Sequence, residues 1–176
     1  MVLMSALNQF IPFIPPIILK ISVPVLAMLP FIEIGLAIPY GIIIVGLTPF
    51  KAAALALTGH IIAILIVTPL IYKHGESLEQ KHSLIKKLIN HARKVRLDRF
   101  FGIRELGIIA FIALPLPIGG IWYALPAAFI FNVPKKKTIF CAIVGSILGS
   151  IQFTLLWTGV FGLIKLWFFN TIEAPF

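Results

Sequence analysis

Two stretches of this chain, Ala52 to Tyr72 and Ile139 to Phe169, stay apolar for at least the roughly 20 residues that a helix needs to cross a bilayer. Few folds accommodate such runs outside lipid. Charged residues make up 12% of the chain, where a soluble domain carries about 25%. These features predict an integral membrane protein, with an unusually greasy soluble bundle as the rival.

A second feature sits inside the apolar sequence. The stretch Leu29-Pro30-Phe31-Ile32-Glu33-Ile34-Gly35-Leu36-Ala37-Ile38-Pro39-Tyr40-Gly41 holds one carboxylate, two prolines and two glycines. Proline removes a backbone donor and glycine loosens the chain, so both interrupt helices. An ionisable group at membrane depth faces protein or a water-filled cavity, and irregular backbone is tolerated only in the same surroundings. Together they predict the wall of a polar site.

Taken in order, residues 1–14 are apolar, too short to span, and interrupted by Pro12. They read as an interfacial segment, or as part of a kinked span running to Leu29. Met1 to Gln9 has no basic region, so a cleaved signal peptide is not expected. Ile17 to Leu47 is expected to break at Pro30 and again near Pro39. The resulting pieces are too short to cross alone and fit a re-entrant hairpin. Pro49 suits the first position of the following helix, and Lys51 to Tyr72 is a clean span. In the hydrophilic region, Ser77-Leu78-Glu79-Gln80 fits a capping box. Leu84, Ile85, Leu88, Ile89, Ala92 and Val95 then recur at helical spacing among basic residues. That pattern predicts an amphipathic helix on the membrane surface, suited to anionic lipid head groups, or else a solvated loop that sets topology. Phe101 to Phe131 is again apolar and broken, at Leu114-Pro115-Leu116-Pro117-Ile118-Gly119-Gly120 and at Pro126, before the last long span.

The punctuation repeats. At an offset of 85 residues Leu29-Pro30 falls on Leu114-Pro115, Pro49 on Pro134 and Lys51 on Lys136; with one further residue of slip Gly59 falls on Gly145 and His60 on Ser146. If each hairpin returns to its own side, a single span separates the copies and the second enters from the opposite face. The expected architecture is therefore an all-α integral membrane protein in one domain over residues 1–176. It has two inverted repeats, about 15–72 and about 100–169, each a re-entrant hairpin followed by a transmembrane helix, joined by a basic amphipathic cytoplasmic linker over 73–99. Inverted repeats are a transporter device, with the site at the repeat interface near the midplane. Nine basic residues from Lys73 to Arg104, together with Lys135, Lys136 and Lys137, lie on one side in this arrangement. They are 12 of the 15 in the chain, so that side is expected to be cytoplasmic and the location a cell membrane. The net charge of +9 thus reflects topology rather than nucleic-acid binding.

At these motifs the chain resembles the small multi-drug export protein family, and more distantly the DedA, or SNARE-associated, membrane proteins. Glu33, Ala37, Ile38 and Pro39 match the first-hairpin pattern of the family, with Gly35 where arginine is usual and Leu36 where glycine is usual. Pro115, Leu116, Pro117, Gly120 and Trp122 match the second-hairpin pattern, and Gly59-His60 stands where Gly-Asn is common. The resemblance implies export of small molecules; the DedA similarity implies movement of a lipid carrier phosphate.

Glu33 is the sharpest candidate, as the group through which a proton-coupled transporter would work; the bland alternative is a carboxylate capping a half-helix or pairing with Arg104. Arg104 suits a phosphate or serves as an interfacial anchor. Pro115, Pro117 and Gly120, with Gly119, would form a half-helix tip that attracts anions. His60, Thr68 and Tyr72 form one polar stripe, and Ser146, Ser150, Thr154 and Thr158 another, expected to glue helices together or line a path. Gly145 and Gly149 make a GxxxG pattern. Cys141 stands alone, so no internal disulfide forms. There is no Walker loop, HExxH or GxSxG motif, and acids are too few for a paired-carboxylate site. No cofactor, metal or enzymatic activity is expected. The expected function is a small secondary exporter, proton-coupled through Glu33 and homodimeric, with its substrate where the hairpin tips meet. A polyprenyl-phosphate translocase and a non-transporting structural subunit are the alternatives.

Overall fold

A computed structural model describes residues 15–81, 103–114 and 120–172. All regular structure among them is helical: α1 (Pro16–Met28), α2 (Glu33–Ile43), α3 (Pro49–Lys81), α4 (Ile103–Ala113), α5 (Ile121–Ile130) and α6 (Lys135–Ile172). The segment 1–14 and the amphipathic pattern from Leu84 to Val95 lie outside the described residues, as do Pro115 and Pro117.

Among the described residues, two helices are long and apolar enough to cross a membrane, over Pro49–Gly75 and Lys135–Val160. Their outer faces leave Ile62, Leu65, Ile66, Leu148, Ile151 and Leu155 exposed, as lipid contact requires. The other four helices have 10 to 13 residues, about 15 to 20 Å at 1.5 Å per residue, short of the ~30 Å hydrocarbon core.

The chain breaks at Pro30 as its sequence predicts: α1 ends at Met28, and α2 starts only at Glu33. Pro49 opens α3, again as predicted. The expected breaks at Pro39 and Pro126 do not occur. Both prolines lie inside helices, α2 and α5. For Pro39 the reason is visible. Its missing N–H leaves the Gly35 carbonyl without its helical partner, and the indole Nε1–H of Trp157 on α6 donates to that oxygen at 3.1 Å. A neighbouring helix thus satisfies the orphan acceptor, which is how membrane helices tolerate proline. The Ser77 capping box is also corrected. Helix α3 runs unbroken to Lys81, so Ser77 lies within it rather than at a helix start.

Small residues set the closest approaches. A side chain at Gly59 would collide with the Pro24 carbonyl, so α1 lies directly on α3. Gly145 lies against the Ile109 carbonyl and Gly149 against that of Ile112, so α4 lies on α6 in the same manner. The GxxxG pattern is therefore used inside the chain. The two contacts correspond in sequence, since Pro24 and Ile109 are 85 residues apart and Gly59 and Gly145 are 86 apart. One apolar cluster, with Val23, Ala27, Ile34, Ile38 and Ala56, joins α1, α2 and α3. The other, with Ile64, Ile108, Ile112, Ile121 and Leu125, joins α3, α4, α5 and α6.

Candidate functional site

The polar centre is built on the turn between α1 and α2. Glu33 N–H bonds the Leu29 carbonyl at 3.2 Å, and Phe31 and Glu33 take φ values of 71° and 42°. Both lie in the left-handed region, which costs a non-glycine residue about 1–3 kcal/mol and persists where the surroundings enforce it. The turn leaves Glu33 as the first residue of α2, with its carboxylate directed at the start of α5. There Gly120 caps the helix with φ of 78°, and any side chain on it would collide with both carboxylate oxygens of Glu33. Glycine is needed for the backbone conformation and for the space. Two helix N-termini, each carrying about half a positive charge, bracket one carboxylate.

His60 enters from α3 and is 2% exposed. Its Nε2 lies 3.8 Å from Glu33 Oε2, and its Nδ1 lies 2.9 Å from Ser146 Oγ on α6. Ser146 has a single hydroxyl proton and donates it to the Ala142 carbonyl at 2.7 Å. The hydroxyl must therefore accept from His60, which places the ring hydrogen on Nδ1. Nε2, the other ring nitrogen, is buried and has no hydrogen-bond partner among the described residues.

These groups line a cavity of about 440 Å³. Glu33, His60 and Gly120 form its polar part, and Phe31, Tyr123, Phe153 and Trp157 supply aromatic walls. Among the described residues no lysine or arginine lines it. The aromatic wall escaped the sequence reading, although Gly149, Phe153 and Trp157 recur at four-residue steps and so share one face of α6.

The remaining candidates fall elsewhere. Pro39 is buried in α2, and its contribution is the Gly35 carbonyl taken by Trp157. Arg104 donates from Nη1 to the Phe131 carbonyl at 3.0 Å and lines a separate groove of about 500 Å³, with Ile108, Phe111 and Val133. Trp122 packs on the central cluster, and its Nε1 is buried without a partner among the described residues. Ser150 donates to Ile147 of its own helix at 2.8 Å, and Thr154 and Thr158 likewise bond within α6. Of the two polar stripes, His60 bridges to Ser146, while Tyr72 joins the α5–α6 turn by donating to the Val133 carbonyl at 2.6 Å and pairing with Thr138 at 2.7 Å.

Two long apolar helices beside a half-buried acid and a buried imidazole fit an integral membrane protein. The chain belongs to the small multi-drug export protein family, whose family model matches residues 33–151. That match begins at Glu33 and spans His60, Gly120 and Ser146. No curated protein and no solved structure matches the chain significantly. The name of the family points to export of small molecules.

Proposed function

We propose that the chain is a small secondary exporter whose substrate site is the Glu33 cavity, with Glu33 as the coupling group. The observation that carries this reading is the position of Glu33. It lies where the α1–α2 turn meets the start of α5, facing a cavity walled by aromatic residues. In this reading α1–α2 and α4–α5 are re-entrant hairpins in an inverted pair, and α3 and α6 are the spans. The short lengths of the four hairpin helices and the paired contacts Gly59–Pro24 and Gly145–Ile109 support it. The basic side, with residues 73–104 and Lys135 to Lys137, faces the cytoplasm of a cell membrane. There the amphipathic segment meets anionic lipid, and the working unit is a homodimer.

The test is proton-driven efflux from liposomes holding the purified protein, using a panel of lipophilic cations. Glu33→Gln is expected to keep the fold and reduce proton-linked flux to background. Full flux in that variant would remove Glu33 from the mechanism.

One observation favours a second reading. The Arg104 groove is apolar with a guanidinium among its lining residues, which suits a lipid phosphate and fits the DedA-like alternative. Inhibition by polyprenyl phosphates, with none by cations, would favour that reading.

A further inference from the structure

We propose that the Glu33 cavity takes an organic cation, and that the proton which displaces it is held on Nε2 of His60, facing the Glu33 carboxylate. The inference rests on the cavity being the substrate site and adds to it the substrate's charge and the proton's address.

Charge and wall composition identify the ligand. With His60 neutral, the pair carries one negative charge, and among the described residues no basic side chain lines the cavity to cancel it. Phe31, Tyr123, Phe153 and Trp157 present aromatic surface beside that charge. A carboxylate among ring faces suits an organic cation. The positive helix ends that would otherwise draw an anion are already occupied by Glu33 itself.

Hydrogen-bond directions identify the proton's place. Ser146 holds the ring hydrogen of His60 on Nδ1, leaving Nε2 as a bare acceptor that faces a second acceptor, Oε2, across 3.8 Å. Two acceptors that face each other lack one hydrogen. A proton taken up by the Nε2 lone pair makes an imidazolium whose new N–H points at Oε2. The carboxylate then has its counter-ion inside the protein, the pair is neutral, and the attraction for an external cation is lost. Loss of the proton restores the single negative charge. Proton and substrate thus exchange one for one at the pair, with no bond to the substrate made or broken. Among the described residues of the cavity that His60 lines, the other groups able to titrate or carry charge are Glu33 from α2 and the Tyr123 phenol from α5. Ser146 from α6 contributes a hydroxyl, and the cavity residues of α4, Ile112, are apolar. Ser146 acts as a positioning residue.

The experiment is calorimetric titration of benzyltrimethylammonium, whose charge does not depend on pH, into the protein in phosphatidylcholine nanodiscs. In the wild type, affinity is expected to fall at least about tenfold from pH 8 to pH 5.5, as protons compete with the cation for the pair. Glu33→Gln is expected to abolish binding at both values. His60→Gln is expected to lose most of the decline, read as the ratio of its own affinities at the two pH values. Ser146→Ala is expected to weaken the decline while keeping affinity at pH 8. The wild-type profile needs no variant, so misfolding of one does not decide the outcome. A flat wild-type profile, or an undiminished decline in folded His60→Gln, overturns the proton's address and leaves the cavity as substrate site. Absence of cation binding in the wild type, with phenyl phosphate bound instead, overturns the substrate class. Undiminished cation binding in Glu33→Gln overturns the site itself.

Discussion

Gly120 shows how much one missing side chain carries. Its φ of 78° is open to glycine and strained for alanine, and the space that a Cβ would fill belongs to the Glu33 carboxylate. Gly120→Ala is therefore expected to cost about 1–3 kcal/mol from backbone strain alone and to expel the carboxylate from the start of α5. A thermal unfolding scan in detergent checks the first effect, and loss of cation binding checks the second. Gly107, by contrast, lies in α4 with nothing near its missing Cβ. Gly107→Ala is expected to be neutral or to stabilise by about 0.5–1 kcal/mol, the ordinary helix-interior difference. The carboxylate at position 33 and its place on a protein-lined cavity were legible from the sequence, because an acid in an apolar run has few tolerable surroundings. Its contact with Gly120, 87 residues later, was not, because no local rule selects a partner at that distance.

At the scale of elements, helices in this protein are joined by backbone groups that sequence features have freed or exposed. Pro39 releases the Gly35 carbonyl, and Trp157 takes it, tying α2 to α6. Trp157→Phe keeps the ring in the cavity wall and removes the donor. It is expected to cost about 1 kcal/mol, the low end of the penalty for an unpaired acceptor because the Gly35 carbonyl is only part-buried, read as a lowered Tm with the helical circular dichroism retained. Gly59 exposes the backbone of α3 to that of α1. Gly59→Leu is expected to force those helices apart and to reduce the yield of folded protein sharply, as assayed by size-exclusion chromatography. Proline and glycine thus marked real features in the sequence, but the rule that they break helices succeeded at Pro30 and failed at Pro39 and Pro126. At Pro39 the difference is a neighbouring donor, which only packing supplies.

For the whole molecule, the decisive quantity is the number of times the backbone crosses the bilayer. In the proposed arrangement, two spans and two hairpins that return to their own sides place Lys51 and Lys136 on opposite faces. Both lysines are exposed, at the starts of α3 and α6. In a Cys141→Ala background, cysteines at 51 and 136 are expected to react with an impermeant maleimide from opposite sides of intact cells or oriented vesicles. Reaction of both from one side would rule out the inverted arrangement. The 85-residue offset was legible because punctuation by proline, glycine and lysine recurs in one order. Its physical counterpart is the pair of close approaches that glycine permits at corresponding places in the two halves.

The sequence by itself determined that this is a membrane protein, where its helices break at Pro30 and open at Pro49, and that one acid lies among apolar residues. Those properties follow from hydropathy and backbone chemistry over short spans of chain. The tertiary structure decided the partners: His60 with Ser146 across 86 residues, Trp157 with Gly35 across 122, and Glu33 with His60 and Gly120. Buried polar groups must find complements somewhere, but which complement they find depends on how distant helices pack. No local pattern encodes that choice.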